Sequence, residues 1–411
     1  MPRIWQLMVL VCMTSVVATA ALGACPYCPT SEPTLSEKLA TSDAACIVKF
    51  LSSADGEDLS MQTTTFEVVE LMRPTKSYRP KDEIVTTFGT TAAPGELFLL
   101  MGQEREGEME WSLPVEVSEA SIGYIRRAPS PEMPISQRLS YFLDYLPFQN
   151  SVISNDAFSE FSWAKFEDVA QLAPKLKREK IRRWLEDPNP QLDVRRSFYG
   201  MLLGLCGNND DAEYLRAKIL EPIPPDKNRL HIPGMMGGFL MLQGPEGLQL
   251  LLKEKLFSLP AEIPTTDPRI DDVNGLRMTL LVMWDYRRAQ FGEAILRDAM
   301  RQYLIRPQFA EMAIVDLARW KDWGSLDQLI AEYGKIPWDI PSAQEKVIGF
   351  ALSCQKDLPA GGGTELPAHA VKAQKFLDSL DPILVESVKR NRNPTPLRKP
   401  KAGNDRAAAL P

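Results

Sequence analysis

The sequence predicts an α+β protein of two domains, a small β-rich domain followed by a longer all-helical one. Two observations predict this class. Apolar residues alternate with a period of two up to about residue 128, and recur with a period near 3.6 from about residue 136. Between these regions, Ala128-Pro129-Ser130-Pro131-Glu132-Met133-Pro134 has the composition of a semi-rigid spacer, which places a linker at residues 129–135. A chain of 411 residues fits two domains plus tails. Its 44% hydrophobic and 25% charged residues are enough for real cores.

Residues 1–24 read as a secretory signal. Arg3 is followed by an apolar stretch from Ile4 to Val17, then by small residues from Ala18 to Ala24. The short apolar core ends in alanines rather than in a basic stop, which favours cleavage over an uncleaved anchor. Two cleavage styles fit. Ala18-Thr19-Ala20 suits an ordinary signal peptidase. Leu22-Gly23-Ala24-Cys25 resembles a bacterial lipobox, which would leave Cys25 lipidated and anchor the N-terminus to a membrane. Either style sends the protein to the periplasm or cell envelope.

Export permits disulfides. Beyond Cys12 in the signal, the chain carries Cys25, Cys28, Cys46, Cys206 and Cys354, an odd set that leaves at least one thiol unpaired or modified. With Cys25 lipidated, Cys28 and Cys46 are the natural disulfide pair. Cys206 and Cys354 lie on or beside apolar helical faces and read as buried small hydrophobes.

Cys25-Pro26-Tyr27-Cys28 matches the dithiol motif of glutaredoxins letter for letter. In that family a strand precedes the motif and a helix N-terminus lowers the pKa of the first thiol. Here a signal precedes it, and Pro29, Pro33 and Thr34 delay any helix to about Ser36. The motif therefore reads as structural, with a thiol oxidoreductase as the enzyme-class alternative.

In the β-rich domain, residues 25–128, Leu35–Ala40 reads as a short capped helix. Four strand-like runs follow at Cys46–Phe50, Thr63–Leu71, Glu83–Phe88 and Glu96–Met101, rich in β-branched and aromatic residues and separated by Gly- or Pro-containing breaks. Cysteines at the mature start, "TLSEKLATSDA", "CIVKFL" and "TTTFEVVELMR" together resemble the OB-like barrel of netrin-type and metalloproteinase-inhibitor domains. That resemblance implies inhibition of a zinc protease through the free amine and carbonyl of Cys25. The inhibitors begin Cys-x-Cys and this chain Cys-Pro-Tyr-Cys, which changes the geometry of the wedge. OB-type barrels also bind nucleic acid and sugars. The acidic loop Asp55–Asp58 and the run Glu104–Glu110 argue against nucleic acid, as does the net charge of −7, since phosphate binding needs a clustered basic face.

In the helical domain, residues 136–390, three stripes follow core-facing spacing: Leu139, Phe142, Leu143 and Leu146; Phe198, Met201, Leu202, Leu205 and Cys206; and Leu326, Leu329, Ile330 and Tyr333. Similar helix pairs begin near Val194, Ile232, Asn274, Phe309 and Ala343. Their intervals of roughly 34–42 residues suit degenerate HEAT-like repeats, which bind other proteins on a broad surface. An irregular bundle is the alternative.

Several segments here look chemical and read as structural. Trp320 is expected in the core beside Leu317, with Lys321-Asp322 making a turn. Asn208-Asn209-Asp210-Asp211 lacks EF-hand spacing and is expected to cap a helix. Gly237-Gly238 and Gly361-Gly362-Gly363 lack the Lys-Ser or Lys-Thr of a phosphate loop. His231 and His369, the only histidines, are far apart and have no cysteine partners in sequence, so neither is assigned to a metal. The tail, residues 391–411, is basic and without apolar period, the composition of a disordered segment.

Taken together, the Cys-rich mature start, "TTTFEVVELMR", "GELFLLMG", "RLSYFLDYL", "DAFSEF", "MLLGLCG" and "DLARWKDW" resemble a family of exported proteins of planctomycete-type bacteria. The resemblance implies export and membrane association and transfers no catalytic residue. The expectation is a non-enzymatic protein-binding scaffold of the cell envelope, with no cofactor, no metal and a protein partner.

Overall fold

The computed structural model describes residues 25–28, 32–54, 62–189, 192–223, 229, 231–336, 338–357 and 365–392. The signal segment, the acidic loop Asp55–Asp58, the glycines 361–363 and nearly all of the basic tail lie outside these residues. The fold is α+β, an antiparallel sheet followed by a mostly helical region. The chain divides into two compact units, Met1–Phe198 and Tyr199–Pro411.

The first unit opens with α1 (Leu35–Thr41), where Thr34 and Glu37 form a reciprocal capping box that satisfies two orphan backbone donors. Six strands follow: β1 (Ala44–Ala54), β2 (Thr63–Arg73), β3 (Glu83–Thr86), β4 (Leu97–Arg105), β5 (Glu108–Trp111) and β6 (Val115–Glu116). They pair antiparallel in the order β3-β2-β1-β4-β5, with β6 also on β4. Four of these strands are those the alternation predicts. One face packs Cys46, Val48, Phe50, Phe66, Val68, Ile84, Phe98 and Leu100 together. Phe66 meets Phe50 and Phe98 edge-on, at 6.2 and 5.6 Å between centroids. The loop after β2 also reaches β5, since Tyr78 lies 5.3 Å from Trp111. Among the described residues, no ladder joins β3 to β5.

The acidic run Glu104–Glu110 turns out to be a hairpin. Glu106 and Gly107 both take positive φ, 52° and 88°, as a tight turn between β4 and β5 requires. The run from Glu119 is likewise a helix, α2 (Glu119–Arg127), rather than the end of the β domain.

The two compact units meet at Phe198/Tyr199, so the helices that follow the Pro-rich stretch at residues 129–135 belong to the same unit as the sheet. The cause is a set of buried contacts that carries the helices beyond the stretch back onto the N-terminal segment. These helices are α3 (Ile135–Phe142), α4 (Ser151–Ser162), α5 (Phe166–Ala170) and α6 (Arg178–Glu186). Tyr124 of α2 stacks with Tyr141 and meets Tyr145 at 4.8 Å. Asp156 of α4 accepts the Leu35 amide at 2.6 Å and the Tyr124 hydroxyl at 2.7 Å, tying α1, α2 and α4 together. Arg138 and Glu160 form a buried ion pair at 2.5 Å.

Helix α7 (Asp193–Cys206) leads into the second unit. There follow α8 (Asn209–Leu220), α9 (Ile232–Leu252), a π-helical turn at Lys253–Phe257, α10 (Arg269–Tyr286), α11 (Arg288–Phe291), α12 (Glu293–Arg301), α13 (Pro307–Arg319), α14 (Leu326–Glu332), α15 (Pro341–Gln355), α16 (Ala368–Asp378) and α17 (Pro382–Arg392). Asn208 caps α8 with a reciprocal box to Asp211, as the sequence leads one to expect. Gly238 earns its place in packing: a Cβ there would lie 2.1 Å from the Gly200 carbonyl oxygen, so α7 and α9 cross backbone to backbone.

Candidate functional site

The first candidate is the Cys25-Pro26-Tyr27-Cys28 motif. Cys25 and Cys28 form a disulfide, with Cα atoms 5.3 Å apart. The Cys28 amide donates to the Cys25 carbonyl at 3.2 Å, closing a turn. The Cys28–Cys46 pair was expected with Cys25 lipidated; in the unlipidated chain Cys28 is bonded to Cys25. Cys46 is a buried thiol on β1, inside the sheet's core, where burial pushes its pKa up to about 11. Cys25 is only 3% exposed, and its amide donates to the Ser162 carbonyl at the end of α4 at 3.0 Å. No helix begins at the motif, since α1 starts at Leu35. The dipole that would lower a thiol pKa in a redox enzyme is therefore not at this position.

A second set joins residues from the end of α15 and the start of α16. His369 Nε2 lies 3.0 Å from Asp357 Oδ2, the same oxygen that accepts the Trp323 indole N–H at 2.8 Å. Lys321 binds the other oxygen at 3.1 Å. Burial alone would raise the Asp357 carboxyl, but these three donors outweigh it and hold it below its ordinary range. With Cys354 nearby, the composition is that of a cysteine-histidine-aspartate triad, but the geometry is not. The buried thiol of Cys354 donates to the backbone carbonyl of His369 at 3.5 Å, and burial followed by the Asp357 charge pushes its pKa up to about 11. A nucleophile needs a lowered pKa and access. The sequence reading left His369 unassigned and did not foresee Asp357. The one available signal was Lys321-Asp322-Trp323, where Lys321 and Trp323 prove to be partners of Asp357.

A third candidate is a face of the helical unit. Helices α10 and α13 are cross-linked by Arg277–Asp316 and by Arg319–Asp285, the latter at 2.7 Å. Ser342 of α15 donates to Glu311 of α13 at 2.7 Å, and Arg392 of α17 donates to Ser353 of α15 at 2.7 Å. On these helices Met278, Met312 and Val315 are exposed, Val315 by 50%. Between α13, α15 and α17 runs a groove of about 390 Å³. Val315, Ala318, Gly349, Phe350 and Val388 give it an apolar lining. Its ionisable lining residues are Arg319, Lys346 and Arg392 against Glu345 alone, an excess of positive charge in a chain of net charge −7.

Trp320 is buried beside Leu317, as expected, and Lys321 makes the turn at φ 53°. Among the described residues, no group of three or more His, Cys, Asp or Glu is placed to hold a metal, and no helix is long and apolar enough to cross a membrane. No protein-family model, no curated protein and no solved structure matches the chain.

Proposed function

We propose that the protein is a non-enzymatic, exported cell-envelope protein whose helical unit binds an acidic amphipathic segment of a partner protein. The observation that carries this reading is the groove between α13, α15 and α17, which combines apolar lining residues with more cations than carboxylates. Apolar side chains of the partner would enter beside Val315 and Phe350, and its carboxylates would meet Lys346 and Arg392, the helix-in-groove mode of recognition. The HEAT-like reading supports this, because α10, α13, α15 and α17 are linked side by side in chain order. The OB-like reading of the sheet rests on its curl, through Tyr78 and Trp111.

At the N-terminus, cleavage by an ordinary signal peptidase at Ala18-Thr19-Ala20, with Cys25 left unlipidated, is the reading we favour over the lipoprotein. One sulfur cannot hold both a diacylglyceryl thioether and Cys28, and Cys25 is buried. The same burial weighs against thiol exchange at Cys25 and against insertion of its amine into a protease.

The test is fluorescence anisotropy with a labelled helical peptide bearing leucines on one face and glutamates on the other. The full chain should bind it, and Val315→Asp with Lys346→Glu should weaken binding at least about tenfold, the equivalent of about 1.4 kcal/mol. Equal binding of a lysine-substituted peptide, or no binding of the acidic one, would overturn the reading. The mass of the native N-terminus decides separately between lipid and disulfide at Cys25.

A further inference from the structure

The second unit has another cleft, of about 550 Å³, between the end of α8, the π-helical turn and the start of α10. Its charge is opposite to that of the groove. Among the lining side chains are four carboxylates, Glu221, Glu254, Asp267 and Asp272, against two cations, Lys255 and Arg269. Both cations are already engaged. Lys255 Nζ lies 2.7 Å from Asp272 Oδ2, and Arg269 Nε lies 2.9 Å from Asp267 Oδ1.

Asp272 is the unusual member. Its side chain is 2% exposed, and Oδ2 takes both Lys255 and, at 3.1 Å, Arg229. Oδ1 is buried with no donor. A buried acceptor without a partner is costly, and Asp272 lines the cleft, so a ligand that supplies a donor there recovers that cost. The carboxylates nearer the mouth have capacity to spare. Among the described residues, Glu254 has only a long ionic contact to Lys253, at 3.6 Å, and Glu221 pairs with Lys218. Pro222, Ile223, Leu259 and Pro264 complete the lining with aliphatic surface.

We infer that this cleft is a binding site for an alkylammonium group on an aliphatic stem. The ammonium's three donors match the open carboxylate acceptors, and the methylenes match the proline and leucine walls. An anion is repelled by such a lining, and a neutral donor gains a hydrogen bond there without the charge attraction that an ammonium adds. This chemistry occurs in free aliphatic diamines and in the lysine side chain of a polypeptide.

Titration calorimetry on the full chain tests the inference with 1,4-diaminobutane, with Nα-acetyl-lysine amide, and with butane-1,4-diol and magnesium chloride as controls. Saturable binding of an ammonium compound, without binding of the diol or of magnesium, is the expected result. Tighter binding of the diamine points to a free amine as the natural ligand, and tighter binding of the lysine amide to a polypeptide. Asp272→Asn can unfold the unit by stranding Lys255 and Arg229, so Glu254→Gln at the mouth is the deciding variant, expected to weaken binding about tenfold. Heat of equal size from magnesium, or an unchanged affinity in Glu254→Gln, would overturn the inference.

Discussion

Trp284 of α10 lies flat on Trp320, the residue that ends α13, with ring centroids 4.3 Å apart and planes 8° from parallel. Arg288 and Arg297 sit over the Trp284 ring at 4.7 and 5.2 Å, and Arg297 also donates to the Trp320 carbonyl at 2.7 Å. The stack is therefore a clamp between two helices that help to build the candidate face, rather than an aromatic box for a ligand. Trp320 is 1% exposed. Trp320→Ala should cost about 3–5 kcal/mol of unfolding free energy, as large-to-small core changes do. Chemical denaturation reads this directly, and a loss below about 1 kcal/mol would mean that the clamp does not hold the helices.

The glycines offer a sharper contrast of sign. Gly204→Ala places a Cβ 2.4 Å from the Gly238 Cα, where only backbone can give way. Overpacking of this kind costs about 1–3 kcal/mol or more. Gly123, in α2, meets nothing nearer than the far end of Arg127 at 3.5 Å. Gly123→Ala should stabilise by about 0.5–1 kcal/mol, the difference in helix propensity. Thermal melts of the two variants should therefore move in opposite directions.

How much of this was legible in the sequence depends on the range of the interaction. The four strand-like runs, the Thr34 and Asn208 caps and the buried stripe of Leu139, Phe142 and Leu146 are local patterns, and all are found where their spacing puts them. The packing of α4 onto the N-terminal segment was not legible, because Asp156 reaches Leu35 across 121 residues and no local pattern announces such a bond. Gly237-Gly238 could be dismissed as a phosphate loop, but its close approach to Gly200 depends on which helices meet. The groove and the cleft were missed for the same reason, since each draws its lining from three separate elements. The Cys28–Cys46 pair was an inference from counting, and counting does not see that Cys46 points into the sheet's core.

Thiol reactivity tests the cysteine assignment. With the disulfide between Cys25 and Cys28, digestion without reductant should release these two residues linked, and Cys46 as an alkylatable thiol. In the native state Cys46 and Cys354 should react slowly with iodoacetamide, since both are buried and only the thiolate attacks. Partly exposed Cys206 should label first. A tryptic fragment linking Cys28 to Cys46 would overturn the assignment.

The buried carboxyls give a pH dependence whose sign can be worked out. Burial pushes the Asp156 carboxyl above its ordinary value of about 4. The Leu35 amide and the Tyr124 hydroxyl oppose this without cancelling it. Burial raises Glu160 and Asp316 in the same way, against the pull of Arg138 and Arg277 respectively. A carboxyl with a raised folded-state pKa binds its proton more tightly folded than unfolded. Its contribution to stability is fully present below the unfolded pKa and is lost as pH rises through the folded one. Unfolding free energy from these groups should therefore decline as pH rises from about 4, opposite to the trend set by an ion-paired carboxyl such as Asp267, whose pKa Arg269 lowers to about 2. Urea titrations across this range should show a shallower decline in Asp156→Asn, which keeps the shape and removes the titration. Tyr124→Phe should instead cost about 1–3 kcal/mol at neutral pH, because the Asp156 carboxylate loses a buried donor. An Asp156→Asn profile parallel to the wild type would show that this carboxyl, despite its burial between α1, α2 and α4, does not titrate on unfolding.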